Sequence, residues 1–250
     1  MKKKSNEEFI NDLSLVVLSS ESYSFLWLNF IILWQKYCKK LNLKKFIITT
    51  NLNKNYKNFK IISGKFDKDD FWSNRIRSAL KKVQTKNVLV FTDDCFVNEY
   101  LNIYYFKKIY ENFKRKKIVH LRLCPIPNEN IFNKRGIYKL SYFSFHRISL
   151  QPGLWDKKYL EKLLSKNETP RIFEEYGSKR TKIEDNIFSS NYYIINFKEI
   201  IRVGKVTPEG KKLIKKENLN FNKFYKFINF FDLFDHYFKN FKSIIFYLLP

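Results

Sequence analysis

Apolar residues in this chain come as short continuous runs separated by longer stretches in which they recur every three or four positions. The run Leu13 to Leu18 (LSLVVL) stops at Ser19, Ser20 and Glu21, the pattern of a strand covered on both faces and ended by polar residues. A helix is expected from about Tyr23 to Leu41. FIITT (Phe46 to Thr50) and FKIIS (Phe59 to Ser63) read as short β-branched strands around an Asn/Lys-rich turn. In Asp69 to Val83 (DDFWSNRIRSALKKV), Phe71, Trp72, Ile76, Ala79, Leu80 and Val83 fall at helical spacing, with acids first and lysines last as the helix dipole favours. NVLVFTDDCF (Asn87 to Phe96) is a fourth buried strand running into two acids. A helix from about Glu99 to Phe113 leads to a strand at Ile118 to Leu123. This β, α, β, β, α, β, α, β order predicts a mostly parallel sheet with helices on both faces.

Beyond Cys124 the rhythm changes to an α+β pattern. Ile137 to Phe143 and Phe145 to Leu150 look like adjacent strands, and Pro152-Gly153 is expected to open a helix from Leu154 to Leu164. Tyr192 to Phe197 and Glu199 to Val203 offer late strands. Residues 211–250 mix Lys and Asn with dense aromatics at spacings of three and four, which predicts an amphipathic helix pair. No repeat of fixed period is present.

A chain of 250 residues with 44% hydrophobic content is large enough to bury a core. Its 48 Lys and Arg against 24 Asp and Glu leave a formal charge of +24, which draws polyanions: nucleic acid, an acidic membrane face or phosphorylated small molecules. An AT-rich genome would produce the same excess of Lys. The three cysteines, Cys38, Cys95 and Cys124, show neither CxxC spacing nor a nearby His pattern, so no disulfide framework or zinc site is indicated. Glu7, Glu8 and Asp12 interrupt the amino-terminal region in a way that does not suit a signal peptide, and a cytoplasmic protein is expected. Phe25 to Trp34, the longest apolar stretch, is about half the length a membrane-spanning helix needs.

Candidate chemistry centres on Asp93 and Asp94. Ligands of open α/β sheets bind at the carboxyl ends of strands, and successive residues leaving a strand point to opposite sides. One carboxylate can therefore coordinate a hard cation while the other meets a ribose or orients the first. Mg²⁺ or Mn²⁺ needs only one or two carboxylates plus substrate phosphates. Acids at strand ends are also common as plain turn or cap residues, so the pair alone leaves both readings open.

Five ordered segments add context: DDFWSNRIRSAL followed by VLVFTDDCF, HRISLQPGLWDKKYLEKLL, TPRIFEEYGSKR and RVGKVTPEGKKLI. On these, over roughly residues 12–210, the chain resembles a family of bacterial glycosyltransferases that assemble capsular or lipopolysaccharide glycans. The resemblance implies an α/β fold of the GT-A (Rossmann-like) type: a mostly parallel sheet flanked by helices, an α+β acceptor-side half and carboxyl-terminal helices. Residues 1–210 would form the transferase domain, with a nucleotide-sugar half at about 12–124 and an acceptor half at about 125–210. Residues 211–250 would follow as a basic aromatic helical segment. It also implies transfer of sugar from a nucleotide donor, a UDP- or GDP-sugar, to a glycan or lipid-linked acceptor with Mn²⁺ or Mg²⁺. Asp93, Asp94 and Phe96 stand at the family's DDxF position, and Glu174 stands at its FE position as general base, beside Glu175. The family tends to carry an aromatic after the Pro, where this chain has Arg171.

Other residues are weaker candidates. Ser19, Ser20 and Glu21 after the first strand, and Thr50 with Asn51 after the second, could contact the nucleoside or serve as caps. Arg75 lies one turn from Trp72 and could reach a phosphate while the indole packs beneath, unless Trp72 is only core. Gln151 and Trp155 flank Pro152-Gly153 and would offer an amide and an indole face to an acceptor sugar, or else Trp155 is a buried anchor. His146 is either an acceptor-side acid or a structural residue.

Lysines among the aromatics of 221–242 suit peripheral contact with an anionic membrane, or a helix packed on the sheet. The same combination is used by single-strand nucleic-acid binders, but the charge is spread along the chain and no RRM, KH or helix-turn-helix signature appears, so no nucleic-acid partner is expected. A sugar nucleotidyltransferase would need a Gly-rich loop after the first strand, and SSESYS contains no Gly. A catalytically dead scaffold of the same fold is the remaining alternative.

Overall fold

Every residue of β1 (Leu13–Leu18) is buried, because parallel neighbours flank it and helices cover both its faces. The computed structural model describes residues 12–228 apart from 51–55, 57, 64–70, 126–134, 145, 203 and 222–225. A single 3₁₀ turn at Glu21–Leu26 leads into α1 (Trp27–Tyr37). β2 (Lys44–Thr49), β3 (Phe59–Ser63), α2 (Trp72–Leu80), β4 (Asn87–Thr92) and β5 (Cys95–Val97) follow, then α3 (Ile103–Arg115) and β6 (His120–Arg122). The second half holds β7 (Ile137–Lys139), β8 (Gly153–Asp156), α4 (Lys157–Leu163), α5 (Pro170–Arg180), β9 (Ile187–Ser190), β10 (Phe197–Glu199), β11 (Ile201–Arg202), β12 (Lys205–Val206) and α6 (Pro208–Lys216).

One eight-stranded sheet runs in the order β3-β2-β1-β4-β8-β6-β9-β7. β3, β2, β1 and β4 are mutually parallel, as are β6 and β9, while β8 lies antiparallel between β4 and β6. The expected mostly parallel α/β plan with helices on both faces is the one the chain adopts.

The two-residue period of the strands divides the core. Leu13, Leu15 and Val17 of β1 and Leu89 and Phe91 of β4 face a cluster with Trp27, Phe30 and Trp34 of α1 and Phe106, Ile109 and Phe113 of α3. Val16 and Leu18 of β1 and Val88 and Val90 of β4 face the opposite cluster, with Ile76 and Leu80 of α2, Leu160 of α4 and Phe173 of α5.

Three expectations for the second half are corrected. Residues 154–156 are not the start of a helix. They form β8, and the helix begins only at Lys157, where Asp156 caps it by accepting from Tyr159 N at 2.9 Å. Four residues are too few to show a period, and Pro152-Gly153 imitates a helix start. Gly153 is required there: a Cβ would lie 3.1 Å from both His120 Cε1 and the Leu121 carbonyl oxygen. Second, 140–144 and 146–150 are irregular where two strands were expected, and of the described residues there only Ile137–Lys139 pairs, on β9. Third, late pairing falls at 187–190, 197–199, 201–202 and 205–206, rather than at 192–197 and 199–203. Because β8 threads between β4 and β6, residues before and after Cys124 share one sheet.

The predicted helix pair at 211–250 falls mostly outside the described residues. Within them, α6 ends at Lys216, and 226–228 is extended against Val206, with Ile228 N donating to the Val206 carbonyl at 3.0 Å.

Candidate functional site

The chain leaves β1 to form β2 and β3 on one side and returns to place β4 on the other, so the order of the sheet reverses between β1 and β4. At such a switch point the connections after the two strands diverge and leave a crevice beyond their carboxyl ends, where ligands of open α/β sheets bind. Ser19 follows β1 at this point, and Asp93-Asp94 follows β4 as a two-residue turn before β5.

The two sides are tied across the switch point. Asp93 N donates to the Leu18 carbonyl at 3.2 Å, and the Ser19 hydroxyl donates to Asp93 Oδ2. Trp27 Nε1 donates to Ser19 Oγ at 2.7 Å, so a buried indole holds the hydroxyl that holds the carboxylate. Ser19 is buried, and the side chain it meets across the switch point is Asp93. Trp27 had no signal in the sequence beyond its apolar helix position.

Asp94 has a different environment. Its carbonyl accepts from Ile200 N at 2.8 Å, which anchors the turn to the segment after β10, and β5 and β10 pair antiparallel beside it. Its Oδ1 is buried and has no hydrogen-bond partner among the described residues. Burial raises the Asp93 pKa well above the usual carboxylate range, and the neighbouring Asp94 charge adds to this. Burial likewise pushes Asp94 up to about 6, and the Glu199 charge acts in the same direction. Asp93, buried, and Asp94, half-buried with one buried and orphaned oxygen, form a donor set of hard oxygens that a divalent cation fits. Among the described residues no group of three or more His, Cys, Asp and Glu gathers as a self-sufficient metal cage.

Further along the same strand ends lies a second group. Register pairs Gly153 with Val90 of β4 on one side and with Arg122 of β6 on the other. Arg122 is 4% exposed; its Nη2 donates to Gln151 Oε1 and its Nε to Cys124 Sγ at 3.4 Å. Cys124 Sγ also lies 3.1 Å from Gln151 Oε1. Sequence reading missed Arg122, which in LRLC looks like one more surface cation beside a strand.

Glu174 reaches this group from α5. Its Oε1 accepts from Leu150 N at 2.7 Å and from Ser149 Oγ at 3.1 Å, so it pins the segment that delivers Gln151 and Pro152 into β8. Burial raises its pKa, while these two bonds and the charge of Arg122 oppose the rise. Glu175, its neighbour, pairs instead with Arg171 at 2.9 Å across one turn of α5. His146 is held neutral, lowered to about 4 chiefly by burial.

The remaining candidates scatter. Ser20 faces Ser22 at 2.8 Å, and Glu21 is exposed on the 3₁₀ turn. Asn51 lies outside the described residues. Trp72 packs on Phe173, ring centres 5.6 Å apart, which is the core reading of that residue, and Arg75 is half-buried one turn along α2. Trp155 corrects an expectation: it is fully buried and lies on His120 with centroids 3.7 Å apart, so no indole face is open to a sugar.

No protein-family model matches the chain, and no curated protein does. Among solved structures it is similar to S. aureus TarS, at 12% identity with a TM-score of 0.46, over 74% of this chain and 36% of that one. Residues 1–349 of S. aureus TarS in complex with UDP give 12% identity and a TM-score of 0.41, over 71% and 60%. The bifunctional IspDF from Campylobacter jejuni gives 18% and 0.39, over 67% and 47%. The chain thus spans about a third of the first of these proteins.

Proposed function

We propose that the protein is a glycosyltransferase that moves a sugar from a nucleotide-sugar donor to a glycan or lipid-linked acceptor. The observation that carries this is the Asp94 carboxylate, half-buried with one buried, orphaned oxygen, beside Asp93 at the switch point of a mostly parallel sheet. A carboxylate is costly to bury unless something cationic meets it. In this reading Asp93 and Asp94 hold Mn²⁺ or Mg²⁺, which when bound would neutralise charge on a diphosphate leaving group. Ser19 and Trp27 keep Asp93 aimed, and Ser20 and Glu21 on the adjoining turn border the space for a nucleoside.

Glu174 is the candidate base for the acceptor hydroxyl, its carboxyl raised by burial toward the range in which a base accepts a proton readily. Its bonds to Leu150 and Ser149 favour a second reading, in which it only holds the Gln151 segment. A hexosyl donor, an acceptor of surface polysaccharide synthesis and a peripheral position on the cytoplasmic face of a membrane complete the proposal. No helix among the described residues is long and apolar enough to cross a membrane.

The test is a thermal-shift screen of UDP- and GDP-sugars with and without Mn²⁺, on the wild type and on Asp94→Asn. The reading expects a metal-dependent rise in melting temperature for one nucleotide class, lost in the variant. An equal rise in both proteins would remove Asp94 from the site.

A further inference from the structure

Arg122 is buried with no ion pair among the described residues, its nearest acid being the Glu174 carboxyl, which feels its charge. Taking a guanidinium out of water costs several kcal/mol unless an anion or a full set of acceptors replaces the hydration. Among the other arginines, Arg180 is paired with Glu168 at 2.7 Å, Arg171 with Glu175 and Arg202 with Glu199, while the exposed Arg115 meets the Asn112 amide oxygen. Arg147, buried to a similar degree and also without an ion pair among the described residues, has three oxygen acceptors, Thr181 Oγ1 and the carbonyls of Lys182 and Asp185, although its Nε has no partner there. Arg122 makes no ion pair among the described residues. Its partners are a neutral amide oxygen and a thiol that burial keeps protonated.

The ionisable groups facing it do not change this. Glu174 is close enough to be stabilised by the guanidinium but makes no ion pair with it, its Oε1 being engaged by Leu150 N and Ser149 Oγ. His146 is neutral, and Tyr193 is a half-exposed phenol raised by burial.

Position then selects the ligand. β8 separates β6 from β4, so two strand spacings put Arg122 ~10 Å from the end of β4. That is outside the reach of a diphosphate held at Asp93-Asp94 but on the same edge of the sheet. We infer that Arg122, supported by Gln151, binds an anionic group of the acceptor, a carboxylate or a phosphate, through the fork of its guanidinium. The word acceptor rests on the glycosyltransferase reading; the anion site does not.

The experiment measures binding without transfer. Methyl β-D-glucuronide, α-D-glucose 1-phosphate and neutral methyl β-D-glucoside are titrated by ligand-observed NMR against the wild type and Arg122→Met, with UDP plus Mn²⁺ titrated in parallel. At least one anionic sugar should bind about tenfold or more tighter than the neutral one, the equivalent of one charge-assisted contact. Arg122→Met should erase that difference and leave UDP affinity within about twofold. The two anionic arms separate carboxylate from phosphate.

Equal binding of charged and neutral sugars overturns the proposal, as does an anion preference that survives the substitution. A parallel loss of UDP binding also overturns it, by assigning Arg122 to the donor. Should Arg122→Met not fold, Gln151→Met, which removes only the supporting amide, must weaken the same anionic sugar. Failure of UDP to bind the wild type would instead strike the donor reading and leave the anion result standing.

Discussion

The two ends of the same sheet edge carry opposite imbalances. At the β1/β4 switch point, Asp93 and Asp94 are acids in excess, one of them orphaned. Beside β6 and β8, Arg122 is a base in excess, met by an amide and a thiol. A net charge of +24 foretells neither, since most of that charge is solvated and screened while these three groups are desolvated. The lesson is that binding preference is written in buried charge that the protein leaves uncompensated. One end calls for a cation, and the other for an anion.

Removing the acid should have the largest effect. Asp94→Ala is expected to cost on the order of 10³-fold in transfer, since a metal supplies several kcal/mol of charge stabilisation. Its melting temperature should hold or rise, because an unpaired buried carboxylate leaves with it. Steady-state transfer and calorimetry read the two, and an active variant would erase the contrast between the ends.

Glu174→Gln tests whether the acceptor end also does chemistry. Gln keeps an oxygen that can accept from Leu150 N and Ser149 Oγ, so the Gln151 segment should stay in place. A loss on the order of 10²-fold in kcat with donor binding retained is expected of a lost base. Unchanged kcat would leave Glu174 with its positioning role alone.

Gly153→Ala strikes the strand that both ends share. The added Cβ meets the Leu121 carbonyl and the His120 ring at 3.1 Å, and overpacking at such a site costs about 1–3 kcal/mol. Urea unfolding should show the loss, with donor and anion binding weakened together rather than separately.

The smallest effect is one of pH and should arise on the acceptor side. His120 is lowered to about 3 and His146 to about 4, in both cases chiefly by burial. The unfolded chain takes up these protons near pH 6.5 while the folded chain refuses them, so stability should fall as pH drops below about 6.5. His120→Gln should flatten the slope of melting temperature between pH 7 and 5, and an unchanged slope would remove His120 from the account.

How much of this could be read beforehand differs between the two ends. Leu13–Leu18 and Asn87–Thr92 are short, largely apolar runs bounded by polar residues, the pattern of interior strands, and the residues that end them, Ser19 and Asp93-Asp94, were visible as candidates for that reason. That these ends are neighbours, and that Ser19 serves Asp93, required the strand order. Arg122, Gln151 and Glu174 come from β6, an irregular segment and α5, and only the insertion of β8 brings them together.

The sequence by itself determined the mostly parallel α/β class, the helices that cover the sheet and the acids at the end of β4. These follow from periodicities and terminators carried within each segment. Tertiary structure alone decided that Trp155 is sealed against His120, that four residues after Pro152 join the middle of the sheet, and that Arg122 is buried with no ion pair among the described residues. Burial and pairing at those positions depend on what packs against them from distant parts of the chain, which local pattern does not encode.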